Sequence, residues 1–157
     1  MGVKRVWIIE KGNSRWKIGE FNDDVLINVT TTDVGVELTD LNLPKSDSTS
    51  IEILITGSGN WSNDTLELLK SKGNVTQLRH GDSHPLRTNV TNPGSLGTDR
   101  VANAFAIQEG VIDEALTCNA WLIVDVGTCV TFDLVVDGTH LGGAISPGIS
   151  LRLDSMR

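Results

Sequence analysis

The chain of 157 residues has no tyrosine, only two cysteines and only four prolines. Cys118 and Cys129 form neither a CxxC pair nor a zinc-binding spacing, so neither a disulfide framework nor a structural zinc site is predicted. We expect both thiols to be reduced, with Cys129 buried after a turn. No apolar run approaches the length of a membrane span, and Glu10 interrupts the first one too early for a signal peptide. We therefore expect a cytoplasmic protein without a membrane partner.

Positive charge is also scarce. The chain has 13 lysines and arginines against 20 aspartates and glutamates, a net charge of -7. Because a nucleic-acid surface needs a basic patch and no run of five basic residues occurs, nucleic acid is not predicted as a partner. An acidic protein that binds an anion must do so locally, with backbone amides and a few lysines or arginines. The hydrophobic fraction of 39% predicts a globular core.

The apolar pattern predicts an α/β chain whose two halves begin alike. Predicted strands cover residues 3–10, 15–20, 25–29, 51–55, 75–78, 120–125, 130–136 and 140–144. Predicted helices cover 32–43, 62–70, 96–109 and the start of one at 149–157, with Gly73 expected to stop the second. A polar loop over 81–94 suggests domains at 1–92 and 93–157. The second half stops before the strand, helix and strand that complete the first, so we expect a truncated chain or a missing remainder.

Two turns of the same shape are the strongest indication of function. In each, an apolar strand ends in an acid that is followed by any residue and a glycine, as in Glu10-Lys-Gly12 and Asp125-Val-Gly127. The glycine allows a tight turn with an exposed backbone. Bare amides and hydroxyls suit a phosphate, and the acid suits a metal or another cation. Two such turns facing each other would clamp a polyphosphate.

Each turn also has a purely structural interpretation. After Gly12, Asn13 and Ser14 offer donors, and Lys17 could reach a phosphate as a point charge. An ordinary hairpin with a solvated lysine explains that turn equally well, and taken alone it is preferred. In the second turn, Asp125 could hold a cation and Thr128 could donate to a phosphate. The alternative is a capped hairpin in which the threonines are present because of their high β propensity. For this turn the functional interpretation is favoured.

Two further motifs remain open between function and structure. In Gly97-Thr-Asp99-Arg100, Asp99 could take a proton from a substrate hydroxyl and Arg100 could bind an anion by its fork geometry. Acid at a helix N-terminus is also plain capping, which is the safer interpretation of this motif alone. The passage from Leu141 to Gly148 could line a ligand with its amides, or could serve close packing of a strand on a helix.

Together and in this order, the four motifs resemble the type III pantothenate kinase family, which includes the Bvg accessory factor proteins. That family belongs to the actin, Hsp70 and sugar-kinase superfamily of ATPases. Its Asp-x-Gly-Asn-Thr/Ser-x-x-Lys motif matches Glu10–Lys17 except at the first position, and Gly-x-Asp-Arg matches Gly97–Arg100. Its Asp-x-Gly-Thr-x-x-Thr motif matches Asp125–Thr131, and Leu-Gly-Gly-Ala-Ile-x-Pro-Gly matches Leu141–Gly148.

The resemblance implies an α/β, ribonuclease H-like (actin-like ATPase) fold with mixed sheets and two similar domains, the second incomplete. It implies an enzyme that phosphorylates the hydroxyl of pantothenate with ATP, the first step of coenzyme A synthesis. It further implies a monovalent cation (potassium or ammonium), magnesium, and a homodimer in which each active site is completed by the partner subunit.

The resemblance also implies roles for single residues. Asp99 would be the catalytic proton acceptor, and Asp125 would bind the monovalent cation. Val90 lies near the place of a tyrosine with which the family usually contacts pantothenate. The implied pantothenate-binding residues are Val90, Gly97, Thr98, Asp99 and Arg100. The implied ATP-binding residues are Glu10, Lys11, Gly12, Asn13, Ser14, Arg15, Trp16, Lys17 and Thr128.

Two other functions remain as alternatives. Glu10 in place of aspartate and the missing tyrosine favour a non-catalytic relative that binds nucleotide or pantothenate as a regulator. Intact Asp99, Arg100, Asp125 and Thr128 oppose that alternative. A kinase of the same superfamily with another acceptor is opposed by the Gly97–Arg100 motif, which matches this family in particular.

Overall fold

The computed structural model describes residues 4–33, 35, 51–57, 60–111 and 118–157. The chain divides into two compact units, Met1–Arg79 and His80–Arg157. Most of the helix predicted over 32–43 lies outside the described residues, but Thr32 and Asp33 belong to a strand, so its predicted start is wrong. Both residues continue a ladder of antiparallel pairs that begins at Val25, and this pairing outweighs the local helical pattern.

The first unit is built on a mixed five-stranded sheet. Its elements are β1 (Arg5–Lys11), β2 (Arg15–Asn22), β3 (Val25–Asp33), β4 (Ile51–Gly57), α1 (Asn63–Lys70) and β5 (Gly73–Gln77). The strand order is β3-β2-β1-β4-β5. β1, β2 and β3 pair antiparallel, whereas β4 is parallel to both β1 and β5. The predicted hairpin at the first turn is therefore confirmed, since β1 pairs with β2.

One face of this sheet forms the core of the first unit. Alternate residues of the strands point to the same side, and pairs such as Ile9 with Ile55 lie opposite each other. Trp16 packs edge-on against Trp61 with ring centroids 5.2 Å apart. From α1, Leu69 is fully buried. The buried residues of this core are Trp7, Ile9, Trp16, Ile18, Ile51, Ile53, Ile55, Trp61 and Leu69.

Local hydrogen bonds explain where α1 begins and ends. Ser62 is the N-cap, because its Oγ accepts a hydrogen bond from the Thr65 amide at 3.2 Å. The helix ends at Lys70, where the Ser71 amide still bonds the Glu67 carbonyl. The prediction that Gly73 stops this helix is wrong. Gly73 opens β5 and leaves room for the Ile51 carbonyl, which any Cβ at this position would overlap.

The cap at Ser62 gives a testable expectation for the first unit. We expect Ser62→Ala to lower the free energy of unfolding by about 1 kcal/mol, because the first turn of α1 loses an acceptor for its amides. Urea denaturation followed by tryptophan fluorescence would measure it, since Trp61 lies beside the cap. Ser62→Asp keeps a capping oxygen and should retain most of the stability. Equal losses in both variants would show that the side-chain cap does not contribute.

The second unit carries α2 on an antiparallel three-stranded sheet. After a helical turn at Pro93–Ser95, its elements are α2 (Thr98–Gln108), β6 (Ala120–Val126), β7 (Cys129–Val136), β8 (Thr139–Pro147) and α3 (Ile149–Asp154). The strand order is β6-β7-β8. The predicted Asp137-Gly138 turn is confirmed: both residues have positive φ, 47° and 67°, and they join the paired strands β7 and β8.

The polar loop predicted as a domain boundary is part of the second unit. Leu86 and Leu96 of this region are buried in the same cluster as Val101, Ala104 and Val135. The loop backbone also runs alongside β8. The Asn89 amide bonds the His140 carbonyl at 2.9 Å, and the His140 amide bonds the Arg87 carbonyl at 3.0 Å. These contacts explain why the unit begins at His80.

The other face of this sheet is apolar and open. Leu122 and Val126 of β6 are 65% and 64% exposed, and α3 adds further exposed apolar side chains such as Ile149. In the described part of the chain, no helix has both the length and the apolar character needed to cross a membrane.

Candidate functional site

The first acid-glycine turn joins β1 to β2. The Gly12 amide bonds the Arg15 carbonyl at 2.9 Å and closes the turn. Glu10 and Lys17 lie opposite each other on the two strands and form an ion pair of 3.1 Å. Both side chains are partly exposed, so this pair contributes little to stability. In this pair, the acid predicted to bind a cation and the lysine predicted to reach a phosphate neutralise each other.

Two residues of the same turn serve the fold with their side chains. Lys11 donates from Nζ to the Asn60 carbonyl at 2.8 Å, and the same Nζ lies 5.3 Å from the centre of the Trp16 ring. Trp16 itself is buried in the core. Any contact of Trp16 with a nucleotide would therefore come from its backbone. Asn13, Ser14 and Arg15 are exposed at the tip of the turn.

The position of this turn in the sheet suits a ligand. β1 and β4 are parallel and end side by side, with Lys11 opposite Gly57. Gly57 has a φ of 124°, and a Cβ there would overlap the Lys11 backbone. Ligands of open α/β sheets bind beyond the carboxyl ends of parallel strands. The turn at Gly12 lies at that edge.

The second turn is held by the glycine-rich passage that follows it. The Gly127 amide bonds the Cys129 carbonyl at 2.9 Å, which closes the turn, and the Gly148 amide bonds the Thr128 carbonyl at 2.9 Å. A Cβ at Gly148 would lie 2.5 Å from that carbonyl oxygen. Two of the four motifs are therefore in contact. Cys129 is exposed rather than buried as predicted, because it opens β7 at the end of the sheet.

Asp125 is a candidate ligand for a cation. It lies opposite Thr131 on the α2 side of the sheet and is half-buried. Within the described residues its carboxylate makes no hydrogen bond or ion pair. No group of three or more His, Cys, Asp or Glu side chains in that part of the chain could hold a metal. One open carboxylate on the same face as the Thr131 side chain fits a hard cation that takes its other oxygen ligands elsewhere.

Asp99 stands in the first turn of α2, which Gly97 precedes as the N-cap residue. Its side chain is exposed and makes no capping hydrogen bond. It folds back so closely that a Cβ on Gly97 would lie 2.5 Å from Asp99 Oδ1. The one part of the capping interpretation that the structure supports is the favourable interaction of the Asp99 charge with the helix dipole. In the described part of the chain, this carboxylate is not engaged by any donor.

Arg100 makes an ion pair that the sequence did not indicate. Its Nε donates to Asp133 Oδ2 at 2.9 Å and its Nη2 donates to Oδ1 at 2.7 Å. The two side chains are only 11% and 1% exposed. The hydrogen bonds to Asp133 raise the pKa of Arg100, against the effect of burial, and the charges of Asp133 and Asp99 add to the rise. The predicted contact of Arg100 with pantothenate remains a prediction.

Asp133 also bonds a buried histidine. His140 Nε2 lies 2.8 Å from Asp133 Oδ1, and His140 Nδ1 lies 2.9 Å from Thr88 Oγ1. Sequence reasoning missed these three residues. One signal was available: alternation along β7 places Asp133 on the same side as Val135, which is the buried side. An acid at such a position requires a cation or strong donors.

Gly143 makes room for the same ion pair. It lies opposite Asp133 on β8. A Cβ on Gly143 would overlap the Phe132 carbonyl oxygen, and would lie 2.7 Å from Asp133 Oδ1 and 2.8 Å from Arg100 Nη2. Of the two interpretations of this glycine-rich passage, the structure supports close packing of strand on helix at Gly143.

This close approach predicts the effect of the smallest possible substitution. We expect Gly143→Ala to lower the free energy of unfolding by about 1–3 kcal/mol, because a carbonyl and two paired side chains must shift. Chemical denaturation would measure the loss. Gly127→Ala is the control, since a Cβ there meets only the Cys129 carbonyl at an ordinary 3.7 Å. An undisturbed Gly143→Ala protein would contradict the packing argument.

Two motifs therefore share one surface of the second unit. Asp125, Thr131 and Asp133 lie on the α2 side of the sheet. Thr131 and Asp133 are two residues apart on one strand, which is about 6.6 Å. Because Asp133 holds Arg100, the start of α2 with Asp99 is anchored to β7, the strand that pairs with β6 at Asp125. This surface, which carries Asp99, Arg100 and Asp125, is the candidate site.

Each of the two α/β units has a strand that ends in an acid-x-glycine turn, as expected for the predicted actin-like ATPase fold. The type III pantothenate kinase family model matches residues 6–157. The chain belongs to the type III pantothenate kinase family, which confirms the resemblance and the fold class predicted from its motifs.

Several relatives bear this out. The chain is 30% identical to a type III pantothenate kinase of Flavobacterium psychrophilum over 154 residues, covering 94% of this chain and 60% of the relative. It is 44% identical to one of Anaeromyxobacter sp. over 66 residues, covering 41% and 24%. A Campylobacter jejuni structure described as a conserved Baf family transcriptional activator shares the fold, with a TM-score of 0.54 and 21% identity over 96% of this chain and 59% of that one. The chain thus spans less than two thirds of the length of these relatives.

Proposed function

We propose that this chain carries the acceptor site and the phosphate-binding turns of a kinase that converts pantothenate to 4'-phosphopantothenate with ATP, the first step of coenzyme A synthesis. Family membership supports the class of reaction. The observation that carries the proposal is the exposed Asp99 carboxylate, which stands without a partner in the described chain beside Arg100. A carboxylate placed in this way can receive a proton from a substrate hydroxyl.

In the proposed reaction, the pantothenate hydroxyl oxygen attacks the γ-phosphorus of ATP. The new oxygen–phosphorus bond forms as the bond to the β-phosphate oxygen breaks, ADP leaves, and the hydroxyl proton passes to Asp99. Gly97 and Thr98 lie at the start of α2, where exposed amides can orient the acceptor. Most of the catalysis comes from positioning and from neutralising charge, so the chain needs few chemically active groups.

The phosphate side rests on the two turns. The Glu10–Lys17 segment and Thr128 would bind the phosphates of ATP with amides and hydroxyls. Asp125 would hold potassium or ammonium with its open carboxylate. Magnesium bound to the nucleotide would neutralise phosphate charge, and proteins usually hold it through substrate phosphates and one or two carboxylates. We further propose a cytoplasmic homodimer in which the partner subunit completes each active site.

A coupled assay of ADP release tests this function. We expect turnover that requires pantothenate and rises with potassium over sodium. A rate of ATP hydrolysis that does not depend on pantothenate would contradict the proposed acceptor. A rate that does not depend on the monovalent cation would contradict the role of Asp125.

A non-catalytic nucleotide-binding relative is the second candidate, and one observation favours it. The Glu10 carboxylate is paired with Lys17 at 3.1 Å instead of standing open for a metal-bound ligand. Nucleotide binding without turnover, measured by calorimetry and unchanged in Glu10→Asp, would support this candidate against the kinase.

A further inference from the structure

We propose that Asp133, His140 and Thr88 are positioning residues that hold the Arg100 guanidinium so that its outer edge receives the anionic group of the acceptor. That this acceptor is pantothenate rests on the proposed function. The positioning of Arg100 rests on geometry alone and can be tested separately.

Arg100 keeps hydrogen-bond donors that Asp133 does not use. A guanidinium has five N–H donors in a rigid plane. Asp133 takes Nε and one hydrogen of Nη2. No acceptor among the described residues takes the two hydrogens of Nη1 or the remaining hydrogen of Nη2. One Nη1 hydrogen and that Nη2 hydrogen form the outer edge of the plane. That edge has the fork geometry that binds a carboxylate bidentately.

Asp133 is itself held in place by a second donor, His140. Its Oδ1 receives Arg100 Nη2 at 2.7 Å and His140 Nε2 at 2.8 Å. Asp133 and His140 are 1% and 0% exposed, so water cannot replace either bond. Nε2 donates to the carboxylate, and Nδ1 pairs with the Thr88 hydroxyl at 2.9 Å. The Thr88 oxygen in turn accepts from the Val90 amide at 3.1 Å. Hydrogen bonds therefore link the Val90 amide, Thr88 and His140 to Asp133, which accepts from Arg100.

The hydrogen-bond network joins a loop, two strands and a helix. Thr88 and Val90 lie on the loop before α2, which runs alongside β8; His140 and Asp133 lie on β8 and β7, and Arg100 lies on α2. Val90 packs on the same cluster and approaches Gly142. The two side chains predicted to contact the acceptor, Val90 and Arg100, are thus held by one network.

A purely structural role explains this network poorly. An apolar cluster of similar volume stabilises a core as well as a buried ion pair does, because the pair must recover the cost of removing two charges from water. What a charged pair adds is a fixed direction for the guanidinium, and a fully hydrogen-bonded network fixes it most firmly. This is the property that an anion-binding arginine needs.

The experiment removes one hydroxyl at the far end of the network. Thr88→Val keeps the shape of the side chain and deletes its bond to His140, whereas Thr88→Ser keeps the hydroxyl. Thr91→Val is the matched control, because Thr91 is an exposed threonine on the same loop. Two quantities are measured in each protein: the hydrogen-exchange rate of the Arg100 Nε–H by nitrogen-15 NMR, and the KM for pantothenate with the corresponding kcat.

We expect Thr88→Val to speed Arg100 Nε–H exchange several-fold and to raise the KM about tenfold, the value of one hydrogen bond, while kcat changes less than about twofold. Thr88→Ser and Thr91→Val should behave as the unaltered protein does. His140→Phe, which removes both ring hydrogen bonds, should abolish the protection of Arg100. The NMR readout does not depend on turnover.

The outcomes separate the two proposals. A lower melting temperature in Thr88→Val with unchanged exchange and unchanged KM would show a merely structural network and overturn the positioning role. Faster Arg100 exchange in a protein that binds no pantothenate would support the positioning role and refute the proposed acceptor. If His140→Phe does not fold, Thr88→Val and Thr88→Ser still decide between these outcomes.

Discussion

Replacing Asp133 with asparagine should lower the free energy of unfolding of the second unit by about 3 kcal/mol, at the low end of the range for breaking one side of a buried ion pair. The variant keeps the shape of the side chain but leaves the Arg100 guanidinium without its counter-charge. Arg100 is 11% exposed, so water can recover only part of the lost interaction. His140 loses its charged acceptor at the same time. Urea denaturation of both proteins at neutral pH would measure the difference.

Two further variants separate lost pairing from general damage. Asp125→Asn changes a half-buried acid on the same face that has no ion pair within the described residues, and it should leave stability nearly unaltered. Asp133→Leu combined with Arg100→Met replaces the pair by apolar side chains of similar volume and should recover the part of the loss that comes from the unpaired guanidinium. A double variant as unstable as Asp133→Asn would show that the cost lies in packing instead of in the unpaired charge.

Replacing Asp99 with asparagine should reduce kcat by about 10²–10⁴-fold, the usual contribution of a positioned general base. Asparagine has nearly the same shape but cannot accept the hydroxyl proton. Asp99 is exposed and holds no structural hydrogen bond in the described chain. The fold and the melting temperature of the Asp99→Asn protein should therefore be unchanged. The coupled assay of ADP release, with pantothenate saturating, would measure the loss.

Glu109→Gln provides the control for Asp99→Asn. Glu109 is an exposed acid at the other end of α2, so its variant carries the same loss of charge away from the site. It should turn over at the normal rate. Full activity in Asp99→Asn would be incompatible with Asp99 as proton acceptor, and an equal loss in Glu109→Gln would point to the charge of the helix instead.

Local sequence patterns predicted much of the fold because local forces decide it. The hairpin between β1 and β2, the turn at Asp137-Gly138 and the start of α2 all depend on alternation, glycine or a helix N-terminus. Errors arose where distant contacts decide. Gly73 was predicted as a helix stop, yet its role is to approach the Ile51 carbonyl on β4. Thr32 and Asp33 were assigned to a helix, yet they pair with β2.

The same distinction applies to the candidate site. The Gly97–Arg100 and Asp125–Thr131 motifs could be found because their chemistry lies in short spacings. The Asp133 network could not, because its members come from a loop, two strands and a helix. His140 lies 52 residues from Thr88 in the chain, and nothing near either residue indicates that they touch. Only the inward position of an acid on β7 suggested that a partner exists.

Gly143 has a consequence for how this protein can evolve. It is a glycine because the Phe132 carbonyl as well as the Arg100–Asp133 pair lies over its backbone, so loss of the pair alone does not remove the need for glycine. A larger residue at 143 requires the strand backbone to shift in addition to a change of both charged side chains. Relatives that have lost the pair should therefore still keep glycine at 143, whereas the pair should occur only where residue 143 is glycine.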